Sequence, residues 1–421
     1  MRVKIHRGAH EIGGSCVEVE SAGKRLVLDV GKPLGTEREA VVPLPGVEGF
    51  IDTDPNLLGV LITHAHQDHW GLAEQLPAGV PLFMGRATAD ILREAARWST
   101  GLTRDTAGYL QHRVPFELGP FTVTPFLNDH SAFDAYSLFV QADGRGLFYT
   151  GDIRGHGRTK GIFRQLLRVP PRPVDVLLME GTNVQSLVDE EDNSADFSDP
   201  VTETELERIA TQTMRTTKGM VFLSFSAQNI DRLVTFYRAA KRSGRTLVID
   251  LYTARIALAT GNVNIPRPGP DWPNVKVYVP RSQRVQVLKS QEFDLVDDVK
   301  PYRIFEEQLA ASPEKFAVKF SLQTGRALAS HDCLAGSVLV WSLWSGYLKE
   351  DSGYIHAFLE KHGIPLRHCH TSGHASVKDL QRLAKALQPG RIVPIHTFAG
   401  HRFTALFDKV SEASDGEWWE V

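Results

Sequence analysis

The stretch LGVLITHAHQDHWG, residues 58–71, runs from an apolar segment straight into four ligand-type side chains, His64, His66, Asp68 and His69. That density at the end of what reads as a buried strand is hard to explain as packing. Histidine with carboxylate suits zinc and other first-row metals. Side chains alternate along extended backbone, so His64, His66 and Asp68 are expected to converge while His69 turns outward with the chain. The stretch reads as a metal site.

Working outward, four more patterns can complete it. NDHSAFDAYSLFV (128–140) places His130 just ahead of a strand, and LFYTGDIR (147–154) places Asp152 directly after one. HCHTSGHAS (368–376) carries His370 and His374 beside small residues, and RIVPIHTF (391–398) puts His396 at the end of an apolar strand. Ligands at strand edges are what a sheet-based site gathers from its loops. His64, His66, Asp68, His69, His130, Asp152 and His396 together match the donor set of a two-metal hydrolase.

The rest of the chain bounds the reading. Its 421 residues suggest two or three domains. An apolar content of 42% and a charged content of 23% are ordinary for a globular protein. A net charge of −3 argues against charge-driven wrapping by nucleic acid but not against an enzyme with a local basic groove. Cys16, Cys333 and Cys369 are widely spaced and form no metal-binding cluster. The opening MRVKIHRGAHEIGG has no signal-peptide pattern, and no apolar run approaches a membrane span, so a cytoplasmic enzyme without membrane contact is expected. GxSxG, P-loop and HExxH motifs are absent from the sequence.

The first third reads as short strands, including a hairpin over residues 15–31, with a helix at Ala87–Trp98. The acidic, proline-containing run from Val188 to Glu205 reads as a boundary. Beyond it, helices at Glu203–Thr216 and Ile230–Ser243 alternate with strands at Gly219–Ser224 and Thr246–Leu251, which suggests a parallel sheet. Arg232, Arg238, Lys241, Arg242 and Arg245 are spread over more than one helix face and read as a solvated surface.

The order HxHxDH, H, TGD and a late PIH resembles the metallo-β-lactamase fold, an αββα sandwich, and within it the β-CASP branch of nucleic-acid-processing enzymes, which carry an inserted α/β domain. Glu180 in DVLLMEGTN, His374 in TSGHA and His396 match that branch's three added motifs. The stretches TETELERIATQTM, GMVFLSFSAQNIDRL and GSVLVWSLWSGYL are similar to RNase J-like members. The implied organisation is a metallo-β-lactamase domain over 1–200 and 351–421 with the insertion at 201–350. Two departures stand out. RNase J proteins usually continue into a C-terminal domain, and their last histidine is commonly followed by Gly-Glu, whereas Thr397 and Phe398 follow here.

The resemblance implies a zinc-dependent ribonuclease, cutting single-stranded RNA endonucleolytically or from the 5′ end with a hydroxide activated by two metals. On that reading His64, His66 and His130 hold one Zn²⁺, Asp68, His69 and His396 hold the other, and Asp152 bridges them, with Mn²⁺ the alternative occupant. His374 acts as general acid, oriented by Glu180, and Ser372, Gly373 and His370 offer donors to a neighbouring phosphate. The alternatives are a DNA nuclease of the same superfamily, which a histidine at position 396 disfavours, and a small-molecule hydrolase on the same fold. The expected state is a monomer or homodimer.

Overall fold

Period-two alternation of apolar residues dictates the layers of this protein. The computed structural model describes residues 1–36, 41–98, 101–187, 200–350 and 353–421. The acidic run at 188–199 lies outside the described residues. Two compact units form, one from Met1–Ala96, Gly101–Pro200 and Gly373–Val421, the other from Arg97–Thr100 and Val201–Ser372.

In the first unit the strands begin with β1 (Arg2–Arg7), β2 (Cys16–Ser21), β3 (Lys24–Leu28), β4 (Leu57–Leu61), β5 (Leu82–Gly85) and β6 (Gly108–Leu110). They continue with β7 (Phe116–Leu118), β8 (Phe121–Leu127), β9 (Tyr136–Ala142), β10 (Arg145–Tyr149) and β11 (Val176–Glu180). The second unit contributes β12 (Val221–Ser224), β13 (Thr246–Asp250), β14 (Val275–Tyr278), β15 (Phe316–Lys319), β16 (Val338–Trp341) and β17 (Leu366–His368). The chain then returns to the first unit with β18 (Arg391–Ile395) and β19 (Trp418–Glu420).

The first unit stacks two sheets, ordered β19-β1-β2-β3-β4-β5-β6 and β18-β11-β10-β9-β8-β7. Alternate residues face the core between them: Val3 and Ile5, Leu26 and Leu28, Leu138 and Val140, Leu147 and Tyr149, Val393 and Ile395. The residues in between point the other way. Phe139, Phe148, Leu177 and Met179 pack beneath the helices Lys160–Arg168 and Val377–Leu387, with Phe163, Leu166, Leu380 and Leu383 opposite. The helix Arg86–Ala96 covers the outside of the first sheet beside β5. This is the αββα sandwich. The opening residues form β1, a strand that the sequence reading passed over, with Val3 and Ile5 as its buried face.

The second unit is an all-parallel sheet ordered β14-β13-β15-β12-β16-β17 with crossover helices. Its first helix, Glu203–Thr216, starts where the sequence places it because Thr202 and Glu205 close a reciprocal capping box. Asn229, Asp250 and Ser321 cap later helices by a single bond, each side chain accepting from the backbone N–H three residues on. Residues 353–372 belong to this unit, through the pairing of β17 with β16, whereas the sequence reading began the closing segment at 351. Two of the arginines read as solvated are buried. Arg232 is fully enclosed against Glu203, and Arg245 donates to the carbonyls of Met214, Thr217, Gly219 and Phe316. Among the described residues no helix is long and apolar enough to cross a membrane.

Candidate metal centre

Strand direction gathers the site. β8, β10, β11 and β18 run the same way in the second sheet, so the residues after their C-terminal ends emerge on one edge. His130 follows β8, Asp152 follows β10, Glu180 ends β11, and His396 follows β18. The loop after β4 meets this edge through the bond from Tyr136 N–H to the Thr63 carbonyl, 3.0 Å. It brings His64, His66, Asp68 and His69.

The HxHxDH segment does not stay extended. Backbone at His66 is still in the β region, but Gln67–Trp70 form a helical turn. The expected outward turn of His69 is therefore corrected: its side chain is 1% exposed, and the turn aims Asp68 and His69 at a different point from His64 and His66. Two donor groups result, sharing one carboxylate.

In the first group, His66 Nδ1 lies 3.1 Å from both His64 Nε2 and His130 Nε2. Asp152 Oδ2 is 3.5 Å from His64 Nε2 and 3.7 Å from His130 Nε2. In the second, Asp152 Oδ1 is 3.4 Å from His69 Nε2, while Asp68 Oδ2 lies 3.2 Å from His396 Nε2 and 3.9 Å from His69 Nε2. Each carboxylate oxygen of Asp152 thus serves one group.

The nitrogens facing away from the groups are also held. His69 Nδ1 donates to Asp29 Oδ2 at 2.7 Å, His130 Nδ1 to the Gly373 carbonyl at 2.7 Å, and His396 Nδ1 to Thr182 Oγ1 at 2.8 Å. His64 Nδ1 pairs with Thr63 Oγ1 at 3.0 Å. Such bonds fix the tautomer that leaves a lone pair on the inward nitrogen. Burial pushes His64, His66 and His130 below the usual histidine range, which favours neutral imidazoles. Burial works on His69 in the same direction, but the Asp152 and Asp29 carboxylates outweigh it and hold its ring above that range.

These residues fit a divalent metal. Donors bound at about 2.0–2.1 Å in a tetrahedron lie about 3.3–3.4 Å apart, close to the separations here. Both oxygens of buried Asp152 and the buried Nε2 of His69 have no hydrogen-bond partner among the described residues. Carboxylate oxygens in that condition are costly unless a cation satisfies them.

Next to Asp152 sits His374. Its Nδ1 is 3.4 Å from Glu180 Oε2 and 3.7 Å from Asp152 Oδ2. Burial lowers its proton affinity, but Asp152, Glu180 and Asp68 more than offset this and raise its pKa to about 9. Glu180 is 1% exposed and accepts from the Ala375, Thr182 and Ile153 amides. Asn183 Nδ2 donates to the His374 and Ala375 carbonyls, both at 3.0 Å, and so holds the loop.

Of the residues assigned to substrate, Gly373 lies in this unit, where its carbonyl accepts from His130 Nδ1. A Cβ there would meet Ser131 Oγ at 2.5 Å, so the Ser131 side chain would have to shift. Ser372 and His370 belong to the second unit, with His370 exposed.

Sequence reasoning missed the supports: Asp29, Thr63, Tyr149, Thr182 and Asn183. Asp29 is fully buried and accepts from Thr63 N–H, Thr63 Oγ1, His69 Nδ1 and Tyr149 OH. The available signal was an aspartate closing the apolar strand of RLVLDVG, the same grammar that flagged Asp152.

Comparison with known proteins agrees with this architecture. Residues 43–192 match the Beta-lactamase superfamily domain. An RNase J-like protein of Methanocaldococcus jannaschii is 29% identical over 196 residues, 43% of this chain and 42% of that protein. Ribonuclease J of Helicobacter pylori is 21% identical over an alignment covering 98% of this chain and 60% of that protein. Ribonuclease J of Mycobacterium tuberculosis is 24% identical, covering 94% and 68%. The chain thus spans less than two thirds of the first two of these relatives. A solved structure, a protein of unknown function from Enterococcus faecalis, shares the fold with a TM-score of 0.74 at 19% identity, covering 99% of both chains. With its αββα sandwich and its donor order, the chain carries a Beta-lactamase superfamily domain and is similar to Ribonuclease J proteins along nearly its whole length.

Proposed function

We propose that the chain is a metal-dependent ribonuclease. The observation that carries this reading is Asp152, whose two oxygens divide between two histidine-rich donor groups while the His374–Glu180 pair stands beside it. His64, His66, His130 and Asp152 would hold one divalent ion, and Asp68, His69, His396 and Asp152 the other, with zinc the first choice and manganese the second. Bound there, the ions supply an activated water and neutralise phosphate charge. RNA as the substrate is supported by the relatives named Ribonuclease J.

The chain's own groups account for the remaining chemistry. Asp68 and His374 keep 13% and 20% exposure, so the phosphodiester approaches from their side of the cluster. Glu180, anchored by three backbone amides, orients the His374 ring through Nδ1 and favours its protonated form. Nε2–H then donates a proton to the departing oxygen, the role of a general acid. His64, His66 and His130, neutral through burial, remain donors without competing for that proton.

The test is cleavage of matched RNA and DNA oligonucleotides with a 5′-phosphate and a 3′ label, using metal-loaded protein and His374→Ala. The expected result is RNA cleavage lost by about 10²–10⁴-fold in the variant, the usual contribution of a general acid, and the product ladder reads endo against 5′-exo action. Cleavage of DNA alone, or of neither polymer with metal bound, sinks the proposal.

A further inference from the structure

The second unit carries a basic groove that the proposed reaction leaves unused. A cavity of about 560 Å³ opens at the C-terminal end of β14 and is lined by Tyr278, Arg281, Arg284, Glu306, Gln323 and Arg326 among others. The C-terminal edge of a parallel sheet is where such folds bind ligands. Two helices, Arg281–Ser290 and Leu322–Ala329, begin at this cavity. Gln323 Oε1 ties their starts together by accepting from Ser282 N–H at 2.9 Å and Ser282 Oγ at 2.8 Å.

The charge here is one-sided. A helix start favours acidic side chains, since its free N–H groups carry partial positive charge. Neither helix has an acidic residue in its first turn, and Arg281 opens one of them. Glu306 is the one carboxylate in the lining, and it is engaged by Tyr278 OH at 2.6 Å and by Arg284 at 3.8 Å. Arg281 and Arg326 make no ion pair with any described residue. Ordinary surface arginines point separately into solvent, whereas these line one hollow and add to two helix ends of the same sign.

A second hollow lies beside the first. A second cavity of about 450 Å³ shares Arg326 and is lined by Tyr354, Lys361 and His362. Tyr354 is 61% exposed, a flat aromatic face beside the basic row. Grooves that hold single strands combine basic groups along the backbone with aromatic rings that stack on bases. We propose that this groove is an accessory site for single-stranded RNA, with Arg281, Arg284, Arg326 and Lys361 on phosphates and Tyr354 under a base. RNA as the occupant rests on the ribonuclease reading; the charge and shape do not.

Fluorescence anisotropy with a labelled RNA of roughly 20 nucleotides, on metal-loaded His374→Ala protein so that the strand stays whole, tests it. Each phosphate contact to a single strand contributes about 0.7 to the slope of log affinity against log salt. Adding Arg281→Gln, Arg284→Gln and Arg326→Gln together should therefore lower the slope by about 2 and weaken binding about 10²-fold at 0.1 M salt. Arg326→Gln alone should lower it by about 0.7. With His374 intact, the triple variant should hydrolyse a small diester such as bis(p-nitrophenyl) phosphate at the wild-type rate. Unchanged affinity and slope overturn the groove while leaving the ribonuclease reading standing. A mononucleotide bound as tightly as the strand overturns it in favour of a small-anion pocket. Wild-type protein that hydrolyses the small diester but neither binds nor cuts RNA overturns the ribonuclease reading, and the named occupant with it.

Discussion

Replacing Asp29 with asparagine should weaken metal binding at the group containing His69 without altering any donor. Asp29 Oδ1 accepts from Thr63 N–H at 2.7 Å, and Oδ2 faces Thr63 Oγ1 at 2.9 Å, His69 Nδ1 at 2.7 Å and Tyr149 OH at 2.7 Å. In Asp29→Asn the backbone bond can survive, but an amide with two N–H groups replaces Oδ2. The two hydroxyls can turn to accept. His69 Nδ1–H cannot, unless its proton moves to Nε2, the atom that faces Asp152 Oδ1. The ring either meets a donor with a donor or surrenders the lone pair aimed at the site. Loss of such an outer hydrogen bond typically lowers metal affinity about 10–100-fold. The buried donor left over should cost about 1–3 kcal/mol of stability in the metal-free protein. Competition against a chromophoric chelator reads the first quantity, urea unfolding the second, and long-range ¹⁵N–¹H NMR of the His69 ring reads the tautomer. Affinity within about twofold of wild type, with His69 still protonated at Nδ1, would refute the reasoning.

Three further outcomes follow from packing and charge. In Gly31→Ala the new Cβ would fall 1.7 Å from the Asp68 carbonyl oxygen and 2.8 Å from Ser15 N, both backbone. The turn carrying Asp68 and His69 must shift, so calorimetric titration should show weaker metal binding along with a stability loss of at least about 1–3 kcal/mol. Arg154 is fully buried, 3.4 Å from Asp129 Oδ1, so Arg154→Met should cost about 3–5 kcal/mol in urea unfolding; adding Asp129→Asn should recover part of that, and a single-variant loss under about 1 kcal/mol contradicts the pairing. Burial would raise the Glu18 pKa, but hydrogen bonds from His6 and Arg25 bring it below the usual value. A pKa lower in the folded state than the unfolded value of about 4.3 gives stability that is present above that value and lost as pH falls through the folded one. Urea midpoints of wild type and Glu18→Gln should accordingly differ at pH 7 and converge toward pH 3; a gap that does not narrow contradicts the assignment.

The candidate donors are legible in the sequence because each is a ligand-type residue in a segment that follows an apolar strand, and parallel strands put their ends on one edge. The supports are not, because nothing local separates them from ordinary residues. Tyr149 alternates into the core like its neighbours Leu147 and Leu138, and only the folded chain shows its hydroxyl on Asp29. Asp29 has φ +61°, the left-handed backbone that aspartate adopts in many turns, so in sequence it reads as the exit from a hairpin. Arg232 and Arg245 have helix-surface spacing, yet Glu203, Ser342 and four carbonyls from distant segments enclose them.

His396 shows where the division falls. Its identity and its place after β18 can be read from PIH, but its aim cannot. β18 stays in register with β11 to Ile395, and the backbone then turns left-handed at His396, with φ +52°. For a residue with a Cβ that conformation costs about 1–3 kcal/mol and persists only where the surroundings over-determine it. Here the amide donates to the Gly8 carbonyl at 2.7 Å, Nδ1 to Thr182, and Nε2 faces Asp68. Three segments remote from one another in sequence hold one residue, its backbone by Gly8 and its ring by Thr182 and Asp68. Chemistry at this site is written residue by residue, whereas direction is written in pairs of residues that only the fold brings together, and Thr182→Val should therefore disturb His396 as surely as a change in its own strand.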